Sequence, residues 1–137
     1  MKKFIALSAI LLMSLFLNSC QQSDADPVDV SFIRAWTAVG DDGIIGTASF
    51  YDGRVAMTED SLYNQWDDCF LWIGSEVTPL PSGQAETFNF VLTVEKEQTY
   101  YFAIKAMDNA GNWSLISNIY SEYIPDDVAP SAIVDLH

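Results

Sequence analysis

Positive charge is scarce in this chain: six Lys and Arg stand against nineteen Asp and Glu, for a formal charge of −13. Such a surface repels phosphate backbones, so no nucleic-acid partner is expected. Histidine is scarcer still, since His137 is the only one and it is the last residue. A hydrolytic nucleophile needs a base in reach, and no other imidazole is present to supply it. The acidic pairs Asp41-Asp42, Asp67-Asp68 and Asp126-Asp127 are adjacent in sequence. Neighbouring side chains on a strand or loop point apart, whereas paired-acid catalysis needs two carboxyls facing across a cleft. No Cys/His spacing suits zinc, and no glycine-rich loop sits between a strand and a helix to hold phosphate. The reading is therefore non-enzymatic, with no cofactor and no metal. Asp41 and Asp42 are the only weak calcium candidates, and they lack the alternating oxygen ligands of an EF-hand loop.

Long apolar runs are also missing, except at the N-terminus. There, Lys2-Lys3 precedes an apolar stretch over residues 4–17, which is too short for an ordinary membrane span and reads as a secretory signal. The stretch ends Leu17-Asn18-Ser19-Cys20. That tetrapeptide resembles the lipobox of bacterial lipoproteins, in which the cysteine takes the lipid and becomes the new N-terminus. The resemblance implies a signal peptide over residues 1–19, lipidation such as palmitate at Cys20, and attachment to a membrane through that anchor. Gln21 follows, not the aspartate associated with inner-membrane retention, so the implied address is the outer membrane of the cell envelope. Loss of Lys2 and Lys3 would take the formal charge from −13 to −15. Cys69 would then be the one remaining thiol, unable to close an internal disulfide, and stability must come from a hydrophobic core. Residues 20–29 are polar and read as a tether.

The body of the chain is organised around Thr99-Tyr-Tyr-Phe-Ala-Ile-Lys-Ala106. Period-2 alternation puts Tyr100, Phe102, Ile104 and Ala106 on one face, the signature of a strand with one buried side. Asp108-Asn-Ala-Gly-Asn112 is a cluster of turn formers, and residues 115–120 resume an extended pattern, so the two runs read as a hairpin. This hairpin resembles the last one of a bacterial fibronectin type III domain. A second stretch carries the same resemblance: Trp36-Thr-Ala-Val-Gly-Asp-Asp-Gly43, then Gly46-Thr-Ala48 and Tyr51-Asp-Gly-Arg54. The resemblance implies an all-β, immunoglobulin-like β-sandwich over residues 30–124. It also implies that Trp36 is the core tryptophan of the second strand. Tyr100 would be a corner tyrosine whose hydroxyl bonds to backbone upstream, although the usual Pro-Gly before it is Lys96-Glu97 here.

Elsewhere the residues speak directly. Val30, Phe32, Arg34 and Trp36 alternate onto one face, and Arg34 there either snorkels to the strand edge or marks a bulge. Residues 50–57 read as a strand weakened at Gly53, a position typical of bulges. Thr58 caps a short helical segment whose buried edge is Leu62 and Trp66. Residues 69–73 form a short strand, with Cys69 as a buried small hydrophobe, and residues 74–84 a Pro- and Gly-bearing loop. In residues 86–94, Phe88, Phe90, Leu92 and Val94 face inward.

Residues 125–137 form a tail whose Asp127-Val-Ala-Pro-Ser-Ala-Ile-Val-Asp-Leu136 resembles the opening of a further type III repeat. One expectation is that residues 132–136 add as a strand to an exposed edge of their own or a neighbouring domain. Aromatics outnumber what one small core needs, so Trp113, Tyr101 and Trp72 are the candidate binding residues. The function expected is a non-catalytic, lipid-anchored envelope module, a spacer or protein-interaction domain. The alternatives are a carbohydrate-binding accessory domain for a polysaccharide and a remnant of a larger secreted protein.

Overall fold

The alternating runs fold as strands. The computed structural model describes residues 27–127 and 132–137; the signal sequence, Cys20 and most of the tether lie outside the described residues. Strand β1 spans Val28–Thr37, β2 Phe50–Ala56, β3 Phe70–Ile73, β4 Ala85–Val94, β5 Gln98–Met107 and β6 Tyr120–Ile124. Among the described residues the one α-helix, α1, covers Glu59–Asn64, and a 3₁₀ turn covers Trp66–Asp68. Among the described residues all named pairings are antiparallel and fall into two sheets, β1–β4 and β3–β2–β5–β6. The protein is thus an all-β sandwich with one two-stranded and one four-stranded layer.

The core lies between the layers. Phe32, Leu92 and Val94 enter it from the smaller sheet, and Val55, Trp72, Ile73, Tyr100, Phe102 and Ile124 from the larger, with Phe88, Phe90 and Ile104 packed at its margin. Phe90 stacks on Trp72 at 5.0 Å between centroids, and Trp36 meets Trp72 and Tyr51 edge-on at 6.1 and 5.3 Å. Trp36 is half-buried, forming the rim of this core. Fully buried rings of this size each contribute roughly 1.5–3 kcal/mol of apolar transfer free energy.

Two local devices fix the layers. The Tyr100 hydroxyl accepts the Glu95 N–H at 2.8 Å, tying the start of β5 to backbone five residues upstream. Burial raises the Tyr100 pKa, and the donated Glu95 N–H works against that rise. At Gly53 the β2–β3 register shifts, so the strand glycine does mark a bulge. A Cβ there would lie 2.4 Å from Ile73 Cγ2 and 2.6 Å from Trp72 Cε2, so the bare backbone is what admits the indole. Trp72 Nε1 then donates to Arg54 O at 3.0 Å and Ala103 O at 3.3 Å, joining β3 to β2 and β5.

On the outer face of the larger sheet, Thr58 accepts the Ser61 N–H and caps α1. The helix seats Leu62 against Ala56 and Ala103 in a second small core. The last strand starts later than the extended pattern of residues 115–120 implies. Here Ser114 Oγ accepts the Ala106 N–H at 2.9 Å and Ser117 Oγ accepts the Ile104 N–H at 3.0 Å. Serine hydroxyls take the place of ladder carbonyls, and regular pairing resumes only at Tyr120.

Candidate interaction surface

The three aromatic candidates do not converge. Trp72 is 6 % exposed, between the layers, so it is a packing residue and not a surface one. Tyr101 points to the opposite face of β5 from Tyr100 and packs half-buried against the small core under α1. Trp113 is 47 % exposed and lies edge-on to Phe50 at 5.9 Å, midway along the β5–β6 connection. Only Trp113 offers an open ring. Trp66, expected on the buried edge of the helical segment, is engaged there: its indole donates to Asp52 Oδ2 at 3.1 Å and Lys105 Nζ sits 4.3 Å over its ring.

Asp41 and Asp42 act in loop architecture. Asp41 Oδ1 accepts the Asn109 N–H at 2.8 Å, linking the loop after β1 to the loop after β5. Asp42 closes a tight backbone turn with Ile45. Among the described residues no group of three or more His, Cys, Asp or Glu side chains is placed to hold a metal ion. In the neighbouring loop, Asp108 accepts from the Asn112 and Ala110 N–H groups and from the Asn112 amide. Those donors, Asn112 first, hold its carboxyl below the usual carboxylate range.

Tyr51, Glu86, Arg54 and Cys69 are matched internally. Tyr51 donates to Glu86 Oε1 at 2.7 Å, and the same oxygen accepts the Leu80 N–H at 2.8 Å. Burial, then the Glu86 contact, pushes Tyr51 up to about 12, and the neighbouring Trp36 indole opposes the rise. Arg54 bridges Asp52 at 2.6 Å and Cys69 O at 2.9 Å. The Cys69 thiol donates toward Ser61 O and Gln65 O, and burial raises its pKa, which keeps it a thiol and not a nucleophile.

A cleft of about 360 Å³ lies between β1 and the approach to β6, lined by Ile33, Arg34, Trp36, Phe102, Ser117 and Tyr120 among others. Arg34 dominates it. The β1–β4 register runs unbroken through this residue, so there is no bulge and its side chain turns inward with Phe32 and Trp36. Its guanidinium lies 4.2 Å over Phe102 and 4.5 Å over Tyr120, pairs with Glu122, and donates to Ile33 O at 2.7 Å. Its Nε is buried without a hydrogen-bond partner. Among the described residues the flanking strand, β1, pairs on one side only. Sequence alternation flagged Arg34 as out of place; nothing in it showed that the adjoining edge is open.

An all-β, two-layer sandwich with an open edge defines the class of this protein. No family model matches the chain, and no solved structure matches it. Curated proteins do: mouse calcium-activated chloride channel regulator 2 is 27 % identical over 128 residues, covering 81 % of this chain and 14 % of that protein. Human calcium-activated chloride channel regulator 4 is 26 % identical over 117 residues, covering 79 % of this chain and 13 % of that protein. The chain thus spans about one-seventh of the length of these relatives.

Proposed function

We propose that this chain is a non-catalytic, lipid-anchored module of the bacterial cell envelope, a fibronectin type III-like domain that acts as a spacer or protein-interaction domain. The observation that carries the interaction role is the edge of β1 beside the Arg34 cleft, a row of backbone groups with no partner strand among the described residues. The type III kind is supported by the Tyr100 hydroxyl bonded to Glu95 N–H and by the two motifs around residues 36–54 and 99–114. The likeness to a small part of two much longer proteins fits a module that recurs within larger chains. The anchor rests on Leu17-Asn18-Ser19-Cys20 at the end of an apolar run. Outer-membrane placement follows from Gln21.

Metabolic labelling with a palmitate analogue, followed by membrane fractionation, tests the anchor: label and outer-membrane association are expected in the wild type and lost in Cys20→Ala. Label retained in Cys20→Ala would overturn it. Carbohydrate binding is a second reading, favoured by the open ring of Trp113. A glycan array with wild type and Trp113→Ala tests it, saturable binding lost in the variant being its signature.

A further inference from the structure

The smaller sheet has two strands and faces a sheet of four, so one flank of the larger layer is left uncovered. The uncovered flank is the Arg34 cleft, bounded by β1 on one side and by Ser117 and Tyr120 on the other. The pairing geometry shows which backbone groups face it. Ala38, just past β1, exchanges hydrogen bonds with the chain leading into β4: its N–H donates to Gln84 O and its C=O accepts the Gly83 N–H. By the period of two, Trp36, Arg34 and Phe32 also direct their backbone groups to β4. Thr37, Ala35, Ile33, Ser31 and Asp29 therefore direct theirs outward. The Ile33 carbonyl takes an Arg34 guanidinium hydrogen, and β1 pairs with no second strand among the described residues. A ten-residue strand with such an edge is a template for another strand.

The chain also carries a segment suited to that edge. Residues 132–136, Ala-Ile-Val-Asp-Leu, are rich in strand formers, yet they lie exposed and unpaired, with Ile133 80 %, Val134 93 % and Leu136 90 % exposed. Direction selects whose edge they meet. β6 ends at Ile124 opposite Gln98, while β1 starts at Val28 opposite Val94, so the tail leaves from the end of the sandwich where β1 begins. To lie antiparallel to its own β1 it must first reach the far end. The nine Cα steps from Val28 to Thr37 span about 30 Å, whereas the eight steps from Ile124 to Ala132, even fully extended, reach at most about 26–29 Å. A second copy has no such constraint.

We propose that residues 132–136 of one copy add as an antiparallel strand to the free edge of β1 in a second copy, with Asp135 beside Arg34 and Leu136 beside Ile33. In this register Asp135 and Ile133 face the cleft. The Asp135 carboxylate comes to the guanidinium whose Nε has no partner, and Ile133 fills space next to Trp36. Val134 and Leu136 fall on the outer face, where Leu136 covers Ile33, itself 64 % exposed. The pairing deepens the interaction reading by naming the partner as the same chain. Each copy offers one edge and one tail, so association proceeds by reciprocal exchange or as an open row. Because both copies are strongly acidic, added salt should strengthen it.

The test is thiol crosslinking of the full chain in its envelope, in a Cys69→Ser background. Two tagged forms, Ile33→Cys and Leu136→Cys, are expressed together and separated on non-reducing gels. Both positions are exposed, so neither change threatens the core. The expected result is a mixed dimer at least fivefold above either form alone, with Asp135→Cys, which points the other way, giving several-fold less against Ile33→Cys. Ala35→Cys with Val134→Cys should repeat the result, and deletion of residues 132–137 should remove association of the otherwise unmodified chain. A crosslink formed inside single chains carrying both cysteines, or no mixed dimer above the single-cysteine controls, would overturn the proposal. A Cys69→Ser form without introduced cysteines reports any crosslink through Cys20 itself, and palmitate labelling reads the anchor whether or not copies associate, so each can fail alone.

Discussion

Replacing Tyr100 with Phe isolates one hydrogen bond in the frame of the sandwich. The ring is buried and stays so, and only the oxygen that accepts the Glu95 N–H disappears. Glu95 is itself buried, so its amide is not simply handed to water. A hydrogen bond of this kind contributes about 0.5–1.5 kcal/mol net, and leaving its buried partner unsatisfied costs roughly 1–3 kcal/mol. We expect Tyr100→Phe to lower stability by about 2 kcal/mol. For a domain of about one hundred residues that corresponds to a fall in Tm of roughly 8–16 °C. Urea unfolding followed by tryptophan fluorescence measures it, with an unchanged m-value because the buried area is the same. Tyr100→Ala, which also removes the ring, should lose roughly 3–5 kcal/mol. A loss under about 0.5 kcal/mol in Tyr100→Phe would mean the corner contact does not hold β5 to the preceding turn, and the reasoning would fail.

Three further outcomes follow from the geometry. Gly53→Ala drives a methyl into Ile73 and Trp72 and should destabilise by about 1–3 kcal/mol, read by the same unfolding assay with a red shift in native emission. Glu97 holds φ 58° in the turn between β4 and β5, a left-handed conformation that suits glycine, so Glu97→Gly should stabilise by about 1 kcal/mol in spite of its added chain entropy. Because its folded-state pKa is depressed, Asp108 contributes stability above the ordinary carboxylate pKa and loses it as pH falls through the lower, folded value. The urea midpoint of wild type should therefore approach that of Asp108→Asn as pH is lowered below the ordinary carboxylate pKa of about 4, and a constant gap between the two would count against the loop contacts.

Much of this fold was legible because alternation carries it. The inward faces of β1, β4 and β5, the Thr58 cap and the Gly53 bulge follow from side-chain period and glycine chemistry. The start of β6 did not, because a serine hydroxyl and a backbone carbonyl are equivalent acceptors and sequence does not say which one Ala106 and Ile104 will use. Trp72 was misplaced on a surface because its slot exists only where Gly53 leaves room for it, a contact between positions nineteen apart. The cleft was foreshadowed by one residue. An arginine on the inward face of β1 signalled something unusual, but the open strand edge beside it is a property of pairing, which no single strand displays.

Strand β3 is only four residues long, and its ladder to β2 is interrupted at the bulge. The Trp72 indole, shared between carbonyls of β2 and β5, therefore rivets this short margin through a side chain. A detaching margin would wet that one indole while the central strands stay closed, so its emission colour serves as a built-in gauge of fraying that precedes global melting.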